Sequence, residues 1–121
     1  MTIEERLVQL LSPFVDRLYP VTAPAGTPTP YTVYLIVSQE PMDTMGDGSV
    51  TALRHWQIQF SSYGENYADI RAQTQAIIDI LLPFRDEGIK VCLLKRRRTV
   101  LDLHVHLPES MVEFDIIEAL G

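Results

Sequence analysis

Ile3, Leu7, Leu10 and Leu11 recur at helical spacing while Glu4, Glu5 and Gln9 fall on other faces, which predicts a short amphipathic helix. Thr2-Ile-Glu-Glu5 ahead of it is a capping box, with the Thr2 hydroxyl placed for the Glu5 amide. Phe14 to Tyr19 either continues that helix for a turn or leaves as a short strand before Pro20. Tyr31 to Ser38 is dense in β-branched and aromatic residues and predicts a strand buried on most of both faces, closed by Pro41. From Val50 to Ser62 the pattern alternates. Trp56, Ile58 and Phe60 form an apolar face, and His55, Gln57, Gln59 and Ser61 a wet one. Asn66 then caps a second helix to about Leu82, whose apolar stripe is Ile70, Thr74, Ile77, Ile78 and Leu81. Pro83 stops it.

Ile89 to Leu94 predicts a fourth strand and Thr99 to Leu107 a fifth, with Leu101, Leu103, Val105 and Leu107 inward and Val100, Asp102, His104 and His106 outward. Lys95 to Arg98 is then expected to turn between them, although it lacks the Gly, Asn or Pro that turns use. The order of elements predicts an α+β domain with a mostly antiparallel sheet of four to five strands and two helices on one face. That domain is assigned to residues 1–107, and residues 108–121 are expected to form a C-terminal arm of acidic and apolar residues.

Two loops punctuate the pattern. Val21 to Tyr31 holds Pro24, Pro28 and Pro30 around Gly26, so it is expected to be stiff and anchored where Tyr31 opens its strand. Residues 42–49, with two glycines and two aspartates, read as a flexible hairpin loop whose apolar anchors are Met42 and Met45.

Composition changes the picture in four places. With 46% apolar residues over 121, the chain suits one compact domain. No run reaches the roughly 18 apolar residues of a membrane span, and Glu4 and Glu5 stand where a signal peptide is basic, so a soluble cytoplasmic protein is expected. Cys92 is the lone cysteine and reads as a small buried hydrophobe. The net charge of −6 argues against a general nucleic-acid binder.

Little in the chain points to chemistry. Asp102, His104 and His106 share one strand face by alternation, and the imidazoles of His104 and His106 with that of His55 suggest a three-ligand metal site, but a solvated strand face accounts for the same spacing. No GxSxG, HExxH or phosphate-binding glycine pattern occurs. Lys95, Arg96, Arg97 and Arg98 would project together from a hairpin end and favour a protein partner, with acidic residues 109–120 of a neighbouring subunit the nearest candidate. Met42, Met45, Pro28, Pro30 and Phe114 complete the expected contact surface.

Val21-x-Ala-Pro-x-Gly-Thr-x-x-Pro-Tyr31, the strand Gln57-Ile-Gln-Phe-Ser-Ser-Tyr63, the helix opening at Tyr67-Ala-Asp-Ile-Arg-Ala72, and Arg97-Arg98-x-x-Leu101-Asp102-Leu103 together resemble the tail-completion proteins of long-tailed bacteriophages and prophages. These are also described as head–tail joining or tail-terminator proteins. The resemblance spans about residues 2–107, and the Ala-Pro-x-Gly-Thr-x-x-Pro-Tyr run is its most specific part. The short basic connection and the continuation past Leu107 depart from the pattern. The resemblance implies a virion structural protein made in the host cytoplasm, with no catalytic residues, substrate or cofactor. It also implies tail-tube and head-connector partners and a homo-oligomeric ring, a hexamer, that forms on assembly from subunits able to exist as monomers in solution. DNA would pass through that ring without sequence-specific binding, and no membrane is involved. A small metal-dependent enzyme built on His55, His104 and His106, and a monomeric binding module of the host, are the alternatives from other classes. Metal analysis and gene neighbourhood distinguish them.

Overall fold

A computed structural model of the chain describes residues 2–15, 17–42, 53–85, 88–102 and 107–119. The elements are α1 (Ile3–Leu11), β1 (Leu18–Pro20), β2 (Tyr31–Met42), β3 (Leu53–Tyr63), α2 (Tyr67–Leu81), β4 (Ile89–Asp102) and β5 (Leu107–Ala119). The five strands form one sheet in the order β1-β2-β3-β5-β4. β1 runs parallel to β2 and every other pair is antiparallel. This is the α+β architecture that the pattern predicts.

Both helices begin as expected. The Glu5 amide donates to Thr2 Oγ1 at 3.2 Å, and the Ala68 amide to Asn66 Oδ1 at 2.8 Å, each satisfying a donor that the first turn leaves open. Ile3, Leu7 and Leu11 of α1 and Ile77, Ile78 and Leu81 of α2 pack on Trp56, Ile58, Phe60, Val112, Phe114 and Ile116, so both helices share one core on one face of the sheet. Gly64 lets α2 approach the end of β3, since a Cβ there would lie 2.8 Å from Ile70 Cγ2. At this end the core turns polar. Thr32 and Ser62 hydroxyls lie 2.8 Å apart and those of Thr74 and Ser110 3.0 Å apart, all fully or nearly fully buried and mutually satisfied.

Six expectations are corrected. β2 is not buried on both faces: Leu35 and Val37 are 42% and 47% exposed. Only one face of the sheet carries helices, and β1 covers β2 only at Thr32 to Tyr34. The same open edge explains why Pro41 does not end the strand, which runs to Met42, because an edge position demands no donor. Ser61, expected to be wet, is buried between its cross-strand neighbours Val33 and Met111.

The remaining three corrections concern the C-terminal third. Lys95 to Arg98 makes no turn. β4 runs unbroken from Ile89 to Asp102, and a register shift between Leu94 and Arg96 marks a bulge within it. An edge strand tolerates such charges because one of its sides stays in water. Leu101, expected inward, is 61% exposed, and it pairs with Pro108, beyond the last β3–β5 pair of Tyr63 and Glu109. The segment expected as an arm is β5, a central strand paired along its length with β3 and β4. Its acidic residues stay in the sheet because partners from other strands meet them: Trp56 Nε1 donates to Glu118 Oε1 at 3.0 Å, and Lys95 Nζ lies 3.9 Å from Glu113. The expected glycine loop, Met42 apart, and His104 and His106 lie outside the described residues.

Candidate contact surfaces

β4 is the last strand of the sheet and carries Lys90, Lys95, Arg96, Arg97 and Arg98, five of the ten Lys and Arg residues of the chain. Alternation and the bulge divide them. Lys95 turns to the open face and reaches Glu113, while Arg97 turns to the helix side. Its Nη1 donates to Gln75 Oε1 at 2.9 Å, and its Nη2 to Thr74 Oγ1 at 3.2 Å and to the Arg71 carbonyl at 3.4 Å. These acceptors are all neutral. Arg97 Nε is buried with no partner. Burial, and after it the Arg71 guanidinium, push Arg97 below its ordinary range.

Arg71 itself lies 5.8 Å from the ring of Tyr67, a cation–π contact, and Tyr67 is half exposed at the start of α2. Tyr67, Ala68, Arg71, Ala72, Gln75 and Arg97 line an open groove of about 430 Å³ between α2 and the edge strand. No described carboxylate lies within ion-pair distance of either guanidinium. The Asp79 carboxylate reaches Arg97 only through the Gln75 amide, which donates to it at 2.8 Å, so two arginines stand together without a direct ion pair in a site suited to an anion.

A second groove of the same volume lies on the same face near the opposite end of the sheet, lined by Thr2, Glu4, Glu5, Val8, Gln9 and Tyr34. Glu4 and Glu5 are both exposed in the first turn of α1. Burial, and then the Glu4 carboxylate, raise the Tyr34 hydroxyl above its usual range.

The open face of the sheet is polar at its centre. His55 Nε2 stands 3.2 Å from Asp115 Oδ1, out of line for a hydrogen bond, so the pair is ionic only when His55 is protonated. Ser38 Oγ donates to Gln57 Oε1 at 3.0 Å, and Gln59 Nε2 to Ser61 Oγ at 3.2 Å. Among the described residues no three His, Cys, Asp or Glu side chains gather as metal ligands. Cys92 is buried against the core, which raises its thiol to about 11.

The remaining expected contact residues scatter. Pro28 is exposed in the segment before β2, and the Pro30 carbonyl accepts from Arg17 Nη1 at 3.1 Å. Tyr31 is anchored by stacking on Tyr63, with ring centroids 5.3 Å apart. Met42 ends β2, and Met45 lies outside the described residues. Phe114 is fully buried and meets Phe60 edge to face, so it belongs to the core and not to a contact surface. The acidic residues of 109–119 flank the basic run within the same chain, where Glu113 meets Lys95. Arg71, absent from the expected surface, joins Arg97 only through the fold.

No known family profile matches the chain, and neither does any curated protein sequence. Its fold is similar to that of a solved chain from the virion of a native gene transfer agent particle, with a TM-score of 0.59 over 93% of this chain and 84% of that one. Identity between the two is 14%, and the likeness establishes the fold.

Proposed function

We propose that this chain is a virion structural protein of a phage or prophage, completing the tail and joining it to the head connector as a ring of like subunits. The observation that carries the proposal is the likeness of fold, over nearly the whole length of both chains, to a component of a virion particle. The Ala23-Pro-x-Gly-Thr-x-x-Pro-Tyr31 run supplies the finer role through its resemblance to tail-completion proteins. In this reading the protein works through its surfaces. The stacked Tyr31 and Tyr63 fix one end of the proline segment so that it is presented without a large ordering cost on contact. The basic strand faces protein while DNA slides past an acidic assembly, since the net charge of each subunit is −6.

Deleting the gene from its phage or prophage tests this directly. Electron microscopy of the lysate should then show filled heads and tails that are not joined, with particles restored by the gene in trans. Normal numbers of joined particles from the deletion strain would overturn the proposal.

A further inference from the structure

Tyr34 of β2 pairs with Phe60 of β3, Phe60 with Val112 of β5, and Val112 with Arg97 of β4. The acidic groove over Tyr34 and the basic groove over Arg97 therefore stand at opposite ends of one cross-strand row, on the helix side of the sheet, three strand spacings or about 14 Å apart. Arginine side chains of one groove do not span that distance to the other. Among the described residues neither groove is closed by a direct ion pair, Asp79 being held from Arg97 by Gln75, yet the two grooves are level with one another across the sheet. We propose that the groove of Arg71 and Arg97 receives Glu4 and Glu5 of a second copy, so that copies join head to tail. This contact rests on the reading of the chain as a self-assembling subunit and gives that assembly its junction.

Chemistry and symmetry both favour this occupant. Guanidinium groups match carboxylates in shape as well as charge, and Arg97 is already held in place by Gln75 and Thr74, so little freedom is lost when an anion arrives. Tyr67, Ala68 and Ala72 on one side, and Val8 and Tyr34 on the other, add apolar surface beside the charges. A two-fold arrangement through either edge would set basic groove against basic groove, or acidic against acidic. A head-to-tail arrangement sets unlike charges together at every junction.

Charge reversal tests the junction in the full chain. Arg71→Glu alters a residue whose described side-chain contact is with Tyr67, and a Glu4→Arg, Glu5→Arg double variant alters exposed carboxylates, so both should keep the wild-type circular dichroism and melting temperature. In sedimentation velocity, each variant alone should associate at least about tenfold more weakly than wild type. A one-to-one mixture of the two should recover association, because each junction in the mixture again pairs unlike charges. Wild type that stays monomeric at all concentrations, variants that associate as wild type does, or a mixture that does not recover would each overturn the junction. So would salt-sensitive retention of a DNA oligonucleotide that Arg71→Glu abolishes in a chain that does not self-associate. Unjoined particles from the deletion strain would leave the virion role standing in all of these cases.

Discussion

Trp56 and Glu118, 62 positions apart in sequence, are joined in the interior by an indole N–H to carboxylate hydrogen bond of 3.0 Å. The bond ties β3 to the end of β5 on the helix side of the sheet, where a buried carboxylate would otherwise lack this donor. Trp56→Phe should therefore cost more than the lost ring area, about 1–3 kcal/mol for the unmade bond alone. Glu118→Gln keeps an acceptor for the indole and should cost clearly less. Urea unfolding of the two variants checks the order, and a Trp56→Phe variant as stable as wild type would show that the bond contributes nothing.

Truncation after Leu107 removes β5. The loss takes Met111, Val112, Phe114 and Ile116 out of the core, each at most 2% exposed, and strips β3 and β4 of their shared partner. Large buried side chains contribute on the order of 2–5 kcal/mol each, so the four together match the 5–15 kcal/mol by which a domain is stable, and the lost ladders of β3 and β4 add to that. The truncated chain should show no cooperative melting transition. An independently folded domain of residues 1–107 would instead melt cooperatively.

Gly64→Ala should destabilise the fold by about 1–3 kcal/mol through crowding, because the new methyl would fall 2.8 Å from Ile70 Cγ2 and 3.5 Å from Pro30 Cβ. Thermal unfolding reads the loss. Separation of α2 from the end of β3 is the expected strain response, so the Thr74–Ser110 contact should weaken with it.

Burial holds the Cys92 thiol near 11 against an ordinary value of 9.0. Above pH 9 the unfolded chain gives up this proton while the folded chain keeps it, so the folded state binds more protons and stability falls as pH rises. The loss attributable to Cys92 should begin near pH 9 and be complete above about 11, and Cys92→Ala should remove that component. Alkylation of the native protein at neutral pH should be slow and limited by unfolding. Rapid modification of the folded chain would contradict the burial.

The helices were legible because each carries its own evidence: a capping side chain within three residues and a stripe set by local spacing. β3 was legible for the same reason. β5 was not, because Glu113 and Glu118 read as solvent-facing acids until Lys95 and Trp56 arrive from distant strands. The basic run was misread on similar grounds, since four successive cations suggest an exposed end, and only the sheet order shows that β4 has a free side to bear them. Of the contact surfaces, the basic residues were visible but their division between two faces was not. Arg71 carried no local signal at all. It is an ordinary polar helix position, 26 residues before Arg97, and the groove they share exists only once β4 lies beside α2.

A building block of a particle is found in the particle itself. Quantitative mass spectrometry of gradient-purified, infectious particles should find the chain at a low, fixed ratio to the major capsid and tail proteins, and the ratio should persist through repeated purification and high salt. A chain that is made in the producing cells but absent from those particles would contradict the account.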